Sequence, residues 1–360
     1  MRSATTRSNP AWYDNRPNYT PTTLGINYYN MNLHDGTNPI TWLQSYDATK
    51  ADNDLALLQT SGITKIRVFA PLESIMSYAS SVFTMNSTYR DNLKDFLTKA
   101  NSHGISCILV MSRGETPSAP SSLDGYTRWE LVLTSNGRTA YKNAMVAYVS
   151  AVDTFSNILM YELCNEPYSC AAGFSAYAVT ESVTQQNVLD WLTLCYGALK
   201  STTAKPVGIS EYEEEEQATY QYFSDATKRT TYIDPVTDIY SMHVYRPDNT
   251  YMADFRQLTS KPKWLSEVGH LNYSDPTASS HPIAGNDELF NALYDPQAVR
   301  SITRKALNAG FSLVMPWSFA DNANVVVSHN GDGTHTPKEV LLWMQATLTG
   351  RTQVGSRSVS

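Results

Sequence analysis

A unit made of a helix end, a glycine and an apolar strand recurs along the chain. It reads "TSGITKIRVFA", "SHGISCILVM" and "NAGFSLVMPW", and its glycines are Gly62, Gly104 and Gly310. Glycine is common directly after a helix, because the backbone there often takes the left-handed conformation that glycine adopts without strain. Each copy therefore predicts a helix that ends at the glycine and is followed at once by a buried strand.

Eight apolar segments of strand length are spread over the 360 residues, and amphipathic segments fall between them. One of the latter, "NLKDFLTKA", places Leu93, Phe96, Leu97 and Ala100 on one helical face. Eight buried strands that alternate with helices predict an α/β fold, the (β/α)8 or TIM barrel, as a single domain. The predicted strands are 24–29, 64–69, 106–111, 158–163, 205–210, 237–243, 262–267 and 311–316.

The domain boundaries follow from the same strands. We expect an N-terminal extension over residues 1–22, the barrel over 23–349 and a C-terminal tail over 350–360. A doubly wound sheet is the rival architecture. The G-x-G-x-x-G turn of dinucleotide-binding sheets does not follow the first predicted strand, so the barrel is favoured.

Charge and hydropathy bear on the class of partner. The formal net charge is −7, with no Lys or Arg stripe to neutralise phosphates, so we expect no nucleic acid partner. No apolar run approaches the about 18 residues that a membrane helix needs, so we expect no membrane association. The N-terminal "MRSATTRSNPAWYDN" lacks the apolar core of a signal peptide. We nevertheless expect a secreted, monomeric protein.

The cysteines and one acidic segment could carry additional features. The four cysteines, Cys107, Cys164, Cys170 and Cys195, are too few for a disulfide framework, and no Cys/His spacing resembles a zinc site. Cys164 and Cys170 are either bridged or buried as free thiols. The run 211–217, "EYEEEEQ", is expected to be a solvated helix start, with a calcium site as the alternative. We predict no metal site and no cofactor.

Polar and aromatic residues stand at the carboxyl ends of the predicted strands, where a barrel carries its chemistry. Strand four ends at Asn165 and Glu166, and strand seven ends at Glu267. Burying a carboxylate without a partner is costly, so a barrel that needed only stability would not carry them there. The remaining strand-end candidates are Arg67 on strand two, His243 and Tyr245 on strand six, and Trp317 on strand eight.

Glutamates on strands four and seven of one barrel would face each other across its mouth. Such a pair can hydrolyse a glycosidic bond by two routes. Carboxyls about 5–5.5 Å apart allow one to attack the anomeric carbon while the other protonates the leaving oxygen, with retention. A separation of about 6.5–9.5 Å leaves room for water and inverts the product. The residues alone leave both routes open.

The segments "YELCNEP" and "WLSEVGH", with a His-x-Tyr strand between them, resemble the signature of the clan A glycoside hydrolases. The resemblance is greatest to the cellulase-like family 5, and it extends from "LGINYY" to "MPWSF". It implies a retaining β-glycosidase in which Glu166 is the acid/base and Glu267 is the nucleophile. It also implies that the other strand-end residues occupy the positions of the family pattern.

The chemistry suggests a role for each of these neighbours. Arg67 could hold Glu267 ionised, because a nearby cation favours the charged form of a carboxylate. Asn165 could donate to the sugar 2-hydroxyl, a hydrogen bond that strengthens in the transition state. The others would contact sugar or orient a glutamate: His243, Tyr245 and Trp317.

Each assignment has a purely structural alternative. The two glutamates could form rim ion pairs, and Arg67, His243 and Trp317 could serve stability alone. Glu162 is expected to pair with a base such as Arg67 or Lys65. Aromatic residues after the strands could line sugar subsites or simply pack: Trp129, Tyr168 and Tyr212.

Together these residues predict a retaining β-glycoside hydrolase whose partner is a β-linked polysaccharide or oligosaccharide of the glucan or mannan type. The alternative is a carbohydrate-binding barrel that has lost catalysis, but its usual mark is a replaced carboxylate. A metal-dependent barrel enzyme would need several ligands from strand ends. His243 is the single strand-end histidine, so that interpretation is weak. The sugar, the linkage, and internal or terminal cleavage stay open.

Overall fold

The computed structural model describes most of the predicted barrel, with gaps between the described segments. The described residues are 24–28, 42–80, 82–114, 127–173, 183–213, 220–244, 255–269, 296–317, 327–329, 335–337 and 339–349. The predicted N-terminal extension 1–22, the tail 350–360 and Tyr245 lie outside the described residues, so these predictions stay untested.

Eight parallel strands form one continuous sheet in chain order, as the sequence predicts. The Gly25 N–H donates to the Val314 carbonyl at 3.0 Å, and Leu24 bridges Val314, so the first strand also meets the last. This is the TIM barrel. The strands are β1 Ile26–Tyr28, β2 Lys65–Phe69, β3 Ser106–Val110, β4 Ile158–Asn165, β5 Val207–Tyr212, β6 Tyr240–Val244, β7 Lys263–Val268 and β8 Leu313–Pro316.

Helices alternate with the strands and cover the outside of the sheet. Gly62, Gly104 and Gly310 have φ of 78°, 69° and 84°, which confirms the predicted left-handed residue after each helix. The helices are α1 Ala48–Thr60, α2 Leu72–Ile75, α3 Ser87–Ser102, α4 Trp129–Val132, α5 Ser135–Val152, α6 Pro167–Gly173, α7 Gln185–Lys200, α8 Ala226–Lys228, α9 Pro296–Asn308 and α10 Glu339–Thr349.

Smaller elements complete the described chain. Two antiparallel hairpins pair 76–79 with 82–85 and 327–329 with 335–337. A π-helical turn, Arg229–Ile233, and a 3-10 turn, Asp234–Val236, precede β6. Within the described residues, no helix combines the length and apolar character of a membrane span.

The main core lies between the sheet and the helices. The predicted apolar face of α3, which is Leu93, Phe96, Leu97 and Ala100, is completely buried there. The barrel interior differs, because β4 and β2 direct a buried Glu162 and a buried Arg67 inwards. Pairing shifts by an extra residue of β4 between Glu162 and Asn165, and by an extra residue of β7 opposite Met242 and His243 of β6. Such bulges re-aim side chains, and these two lie near the carboxyl ends of their strands.

A buried carboxyl in α2 makes the stability of the fold depend on pH. Glu73 is 3% exposed, and its Oε1 accepts from the Tyr141 hydroxyl at 2.7 Å. Its Oε2 has no hydrogen-bond partner among the described residues. Burial raises the pKa of Glu73 to about 7, although the Tyr141 bond opposes the shift. Between the ordinary value and pH 7 the native state therefore keeps a proton that the unfolded chain has lost.

We predict that Glu73→Gln becomes progressively more stable than wild type as the pH rises. Between about 4.5 and 7 the native state binds more protons than the unfolded state, so wild-type stability falls as the pH rises through about 7 and then levels off. A shift from 4.5 to about 7 corresponds to about 3 kcal/mol in the free energy of unfolding. Urea unfolding at pH 5 and 8.5 measures the difference in stability, with the exposed Asp190→Asn as the control. Equal pH dependence in all three proteins would refute the prediction.

Candidate active site

The two predicted catalytic glutamates come together at the carboxyl end of the barrel. One carboxylate oxygen of Glu166 and one of Glu267 lie within 4.8 Å of each other, and both lie that close to a ring nitrogen of His243. The His243 Nδ1 is 2.5 Å from Glu166 Oε1 and 3.5 Å from Glu267 Oε2. Glu267 is nearly buried, whereas the side chain of Glu166 is 19% exposed. The more accessible carboxyl is thus the one that follows β4.

Arg67 lies beneath this pair and is completely buried. It forks onto Glu162, with Nε 2.8 Å from Oε2 and Nη2 2.5 Å from Oε1, as expected for the pairing of Glu162. Its Nη1 donates to Glu267 Oε1 at 2.6 Å, and its Nη2 donates to Asn165 Oδ1 at 2.7 Å. Burial would lower the pKa of Arg67, but Glu162 and Glu267 outweigh that effect and raise it. The guanidinium therefore stays charged and holds residues of several barrel strands at one point.

Three polar residues of this network were not identified from the sequence. Asn27 on β1 accepts from Arg67 Nη1 at 2.9 Å and donates to the Ser266 carbonyl at 2.7 Å. Ser210 on β5 accepts from Arg67 Nη2 at 3.1 Å and donates to Glu162 at 2.5 Å. Ser241 donates to the Ser266 hydroxyl at 2.7 Å. The available signal was a lone polar residue within an apolar strand, as in "GINYY".

His243 is a buried, neutral member of the site at ordinary pH. Burial lowers the pKa of His243 to about 4, although the charge of Glu267 opposes this shift. The neutral ring can therefore donate from Nδ1 to Glu166 and leave Nε2 unprotonated. Nε2 is buried and has no hydrogen-bond partner within the described part of the chain. The predicted contact between His243 and the acid/base candidate is present.

Among the described aromatic candidates, one lies at the site, two lie in the core, and Tyr212 is half-buried against Tyr220 with ring centroids 5.4 Å apart. Trp317 is half-buried, and its ring meets the Phe69 ring edge to face with centroids 5.7 Å apart. The Phe69 ring centroid in turn lies 4.8 Å from the Arg67 guanidinium carbon, so the tryptophan adjoins the charged network. Trp129 and Tyr168 are fully buried, which rules them out as exposed sugar platforms.

The acidic run that begins at the end of β5 is not a solvated helix start at its first two glutamates. Glu211 and Glu213 are 0% and 1% exposed, so that expectation is wrong for both. Each accepts hydrogen bonds from backbone N–H groups of a turn elsewhere in the chain. The rest of the run, 214–217, lies outside the described residues. Cys164 and Cys170, left open between a bridge and free thiols, are both free.

The cluster could in principle offer ligands to a cation, because Glu166, His243 and Glu267 supply two oxygens and a nitrogen. Arg67 already places a positive charge 2.6 Å from Glu267. A metal ion at this position would meet that charge at short range. The arrangement is therefore better suited to carboxylate chemistry with a fixed internal cation than to metal binding.

A protein-family model identifies the class of enzyme to which this arrangement belongs. Residues 18–316 match the model described as Cellulase (glycosyl hydrolase family 5). The chain belongs to glycosyl hydrolase family 5. This family 5 protein is thus a glycoside hydrolase, and the matched range contains every residue of the site except Trp317. A search of curated protein sequences gave no significant match.

Solved structures with the same fold include several that act on mannose-containing substrates according to their descriptions. The exo-β-1,4-mannosidase of an Opitutaceae bacterium superposes with a TM-score of 0.64 at 14% identity, over 92% of this chain and 60% of that one. The endo-1,4-β-D-mannanase of Thermotoga petrophila gives 0.58 at 17% identity, over 91% and 99%. The β-mannanase of the blue mussel Mytilus edulis gives 0.58 at 15% identity, over 93% of both chains. At these identities the likeness supports the fold of the family 5 hydrolase.

Proposed function

We propose that this family 5 hydrolase cleaves a β-linked, mannose-containing polysaccharide or oligosaccharide with retention of configuration. Glu166 acts as acid/base and Glu267 as nucleophile. The observation that carries the proposal is the approach of the two carboxylates to within 4.8 Å beside His243. An approach of two carboxylate oxygens this close favours the carboxyl separation of about 5–5.5 Å in retaining enzymes over the about 6.5–9.5 Å of inverting enzymes.

The proposed reaction has two steps. In the first, a Glu267 oxygen forms a bond to the anomeric carbon, and the bond from that carbon to the leaving oxygen breaks. The Glu166 proton moves to that leaving oxygen. In the second, water gives a proton to Glu166 and attacks the anomeric carbon, which releases Glu267 and the sugar. The electron pair of each broken bond stays with its oxygen, so neither step needs a cofactor.

The mechanism needs Glu267 ionised and Glu166 protonated, and the surrounding residues support these roles. Arg67 compensates the ionised nucleophile at 2.6 Å, and it is too deeply buried to contact a sugar itself. It also occupies the Asn165 amide oxygen, which leaves the amide nitrogen to donate to the sugar 2-hydroxyl. Trp317, half-buried on Phe69, offers a flat face for a pyranose ring. Tyr245, just after β6 and outside the described residues, completes the proposed site.

The choice of a mannose-containing substrate rests on the structural neighbours, whose descriptions name β-mannanases and a β-1,4-mannosidase. A β-glucan is the competing substrate, since the family model carries the description Cellulase. The neighbours include both an endo- and an exo-acting enzyme, so loop shape must decide the mode of cleavage. Secretion is part of the same proposal, because such polysaccharides are located outside cells.

Product chromatography after incubation with matched β-1,4-mannan, galactomannan, cellulose and xylan substrates tests the proposed specificity. We expect mannan or manno-oligosaccharides to be cleaved at least about tenfold faster, by kcat/KM, than the equivalent glucans. Such a factor corresponds to about 1.4 kcal/mol of differential transition-state binding. A single short product would indicate terminal cleavage, and a ladder would indicate internal cleavage. Preference for glucan would refute the substrate proposal, and turnover of no β-glycoside would refute the activity.

A further inference from the structure

Glu166 is held in a backbone conformation that needs external support. Its φ is 48°, in the left-handed region that a non-glycine residue adopts at a cost of about 1–3 kcal/mol. Two hydrogen bonds hold the residue from either end: its N–H donates to the Ser210 carbonyl at 2.9 Å, and its own carbonyl accepts from the Cys170 N–H at 2.9 Å. Pro167 follows directly and has no N–H to contribute. The remaining support must come from the next residues.

Glu211 supplies that support from β5, one residue beyond Ser210. Its Oε2 accepts from the Tyr168 N–H at 2.8 Å, and its Oε1 accepts from the Ser169 N–H at 3.3 Å. The Ser169 hydroxyl also donates to Oε1, as does the Tyr212 N–H at 2.9 Å. Ser210 and Glu211 point to opposite faces of the strand. Two successive β5 residues thus fix the chain before and after the acid/base glutamate.

Glu211 is completely buried, and burying a carboxyl costs free energy unless hydrogen bonds compensate for it. Its hydrogen-bond partners therefore indicate what the side chain does. Burial, together with the charge of Glu166, raises the pKa of Glu211 to about 8, although the bonds from Ser169 and the backbone oppose the shift. The main function of the side chain is therefore to satisfy the turn after Glu166. An apolar residue at this position would leave the N–H groups of Tyr168 and Ser169 without these acceptors.

We propose that Glu211 is a positioning residue for general-acid catalysis, which fixes the first turn of α6, residues 167–170, so that the Glu166 carboxyl reaches the leaving oxygen. This inference rests on the proposed function, in which Glu166 donates that proton. Glu211 exchanges no proton with the substrate and acts only through the turn. Its loss should therefore impair bond cleavage that needs acid assistance and spare cleavage that does not.

Glu213, the residue directly after β5, offers a matched control for Glu211. Its carboxyl is also buried, and it accepts from the Phe223 N–H at 2.8 Å, from the Ser224 N–H at 3.1 Å and from the Ser224 hydroxyl. It thus makes the same kinds of bond to a turn that does not contain a reacting group. Changing Glu213 reproduces the structural cost of changing Glu211 without moving Glu166.

The experiment compares kcat/KM for two substrates that carry the same sugar, because kcat/KM reports the first bond cleavage. One is the manno-oligosaccharide, whose leaving oxygen needs a proton. The other is 2,4-dinitrophenyl β-mannobioside, whose phenolate leaves without one; cello-compounds replace both if wild type prefers glucan. The proteins are wild type, Glu211→Gln, Glu213→Gln and Glu166→Ala. If Glu211→Gln does not fold, Ser169→Ala and Ser224→Ala form the milder matched pair.

We expect Glu211→Gln to lose about 10- to 100-fold on the oligosaccharide and less than about 3-fold on the dinitrophenyl substrate, part of the full effect of a general acid. Glu213→Gln should keep the wild-type ratio of the two values. The role of Glu211 alone would be overturned if Glu211→Gln kept the wild-type ratio of the two kcat/KM values while Glu166→Ala lost far more on the oligosaccharide than on the dinitrophenyl substrate. If Glu166→Ala lost equally on both substrates, or if wild type were inactive, the proposed function and this inference with it would be overturned.

Discussion

Glu267→Ala should lower kcat/KM for every β-glycoside that wild type cleaves by at least about four orders of magnitude, while the protein stays folded. The expected loss is this large because the variant has no atom in place to attack the anomeric carbon. The fold should persist because Arg67 keeps both bonds to Glu162 and its bond to Asn165. Steady-state kinetics with far-UV circular dichroism measures both effects. Glu213→Ala, which also removes a buried strand-end glutamate, serves as the control for folding.

Chemical rescue separates the roles of the two glutamates. With azide and the dinitrophenyl glycoside, Glu267→Ala should yield the α-glycosyl azide, since azide attacks directly from the face left by the carboxylate. Glu166→Ala should yield the β-glycosyl azide, since azide then attacks the covalent intermediate on Glu267. The opposite pairing of variants and products would contradict the assignment, and substantial unrescued turnover by Glu267→Ala would refute its role as nucleophile.

Arg67→Met should destabilise the protein by about 3–5 kcal/mol, because it leaves buried carboxylates without their partner. Glu162 would lose a forked pair, and Glu267 would lose its 2.6 Å ion pair. Activity should also fall by more than about 100-fold, because a misplaced nucleophile loses its alignment. Arg67→Lys should recover little, since one ammonium cannot reproduce the fork.

The double variant Arg67→Met, Glu162→Gln tests the electrostatic origin of this loss. Neutralising Glu162, which Arg67→Met leaves as an unpaired buried charge, should restore part of the free energy of unfolding, measured in urea, without restoring activity. A loss below about 1 kcal/mol in Arg67→Met would place the pair among weak surface ion pairs and contradict its buried role. Restoration of activity by the double variant would show that Arg67 is dispensable for catalysis.

The barrel itself could be predicted from local patterns. Each predicted strand overlaps an observed one, because a buried strand is an apolar run whatever its neighbours are. Several strand ends differ from the predicted bounds. Strand four continues to Asn165 through a bulge, and residues 237–239 precede β6 rather than belong to it. Bulges and strand starts depend on pairing with other strands, which a local pattern does not contain.

The catalytic candidates could be predicted because their position at a strand end is itself the signal. The network that supports them could not. Asn27 reaches the Ser266 carbonyl, 239 residues away, and nothing near either residue encodes that contact. Glu211 was identified only as part of an acidic run, although the fold buries it against the turn after Glu166. Tyr168 packs on Tyr222 with centroids 5.3 Å apart, a contact that the sequence pattern left open.

The configuration of the first product distinguishes double displacement from direct attack by water. Proton NMR during the first minutes of hydrolysis resolves the anomers of the newly released reducing end before they equilibrate. Double displacement, with Glu166 and Glu267 within 4.8 Å of each other, predicts that the β-anomer appears first and the α-anomer only later. Initial appearance of the α-anomer would show that water attacks directly and would contradict the roles proposed for both glutamates.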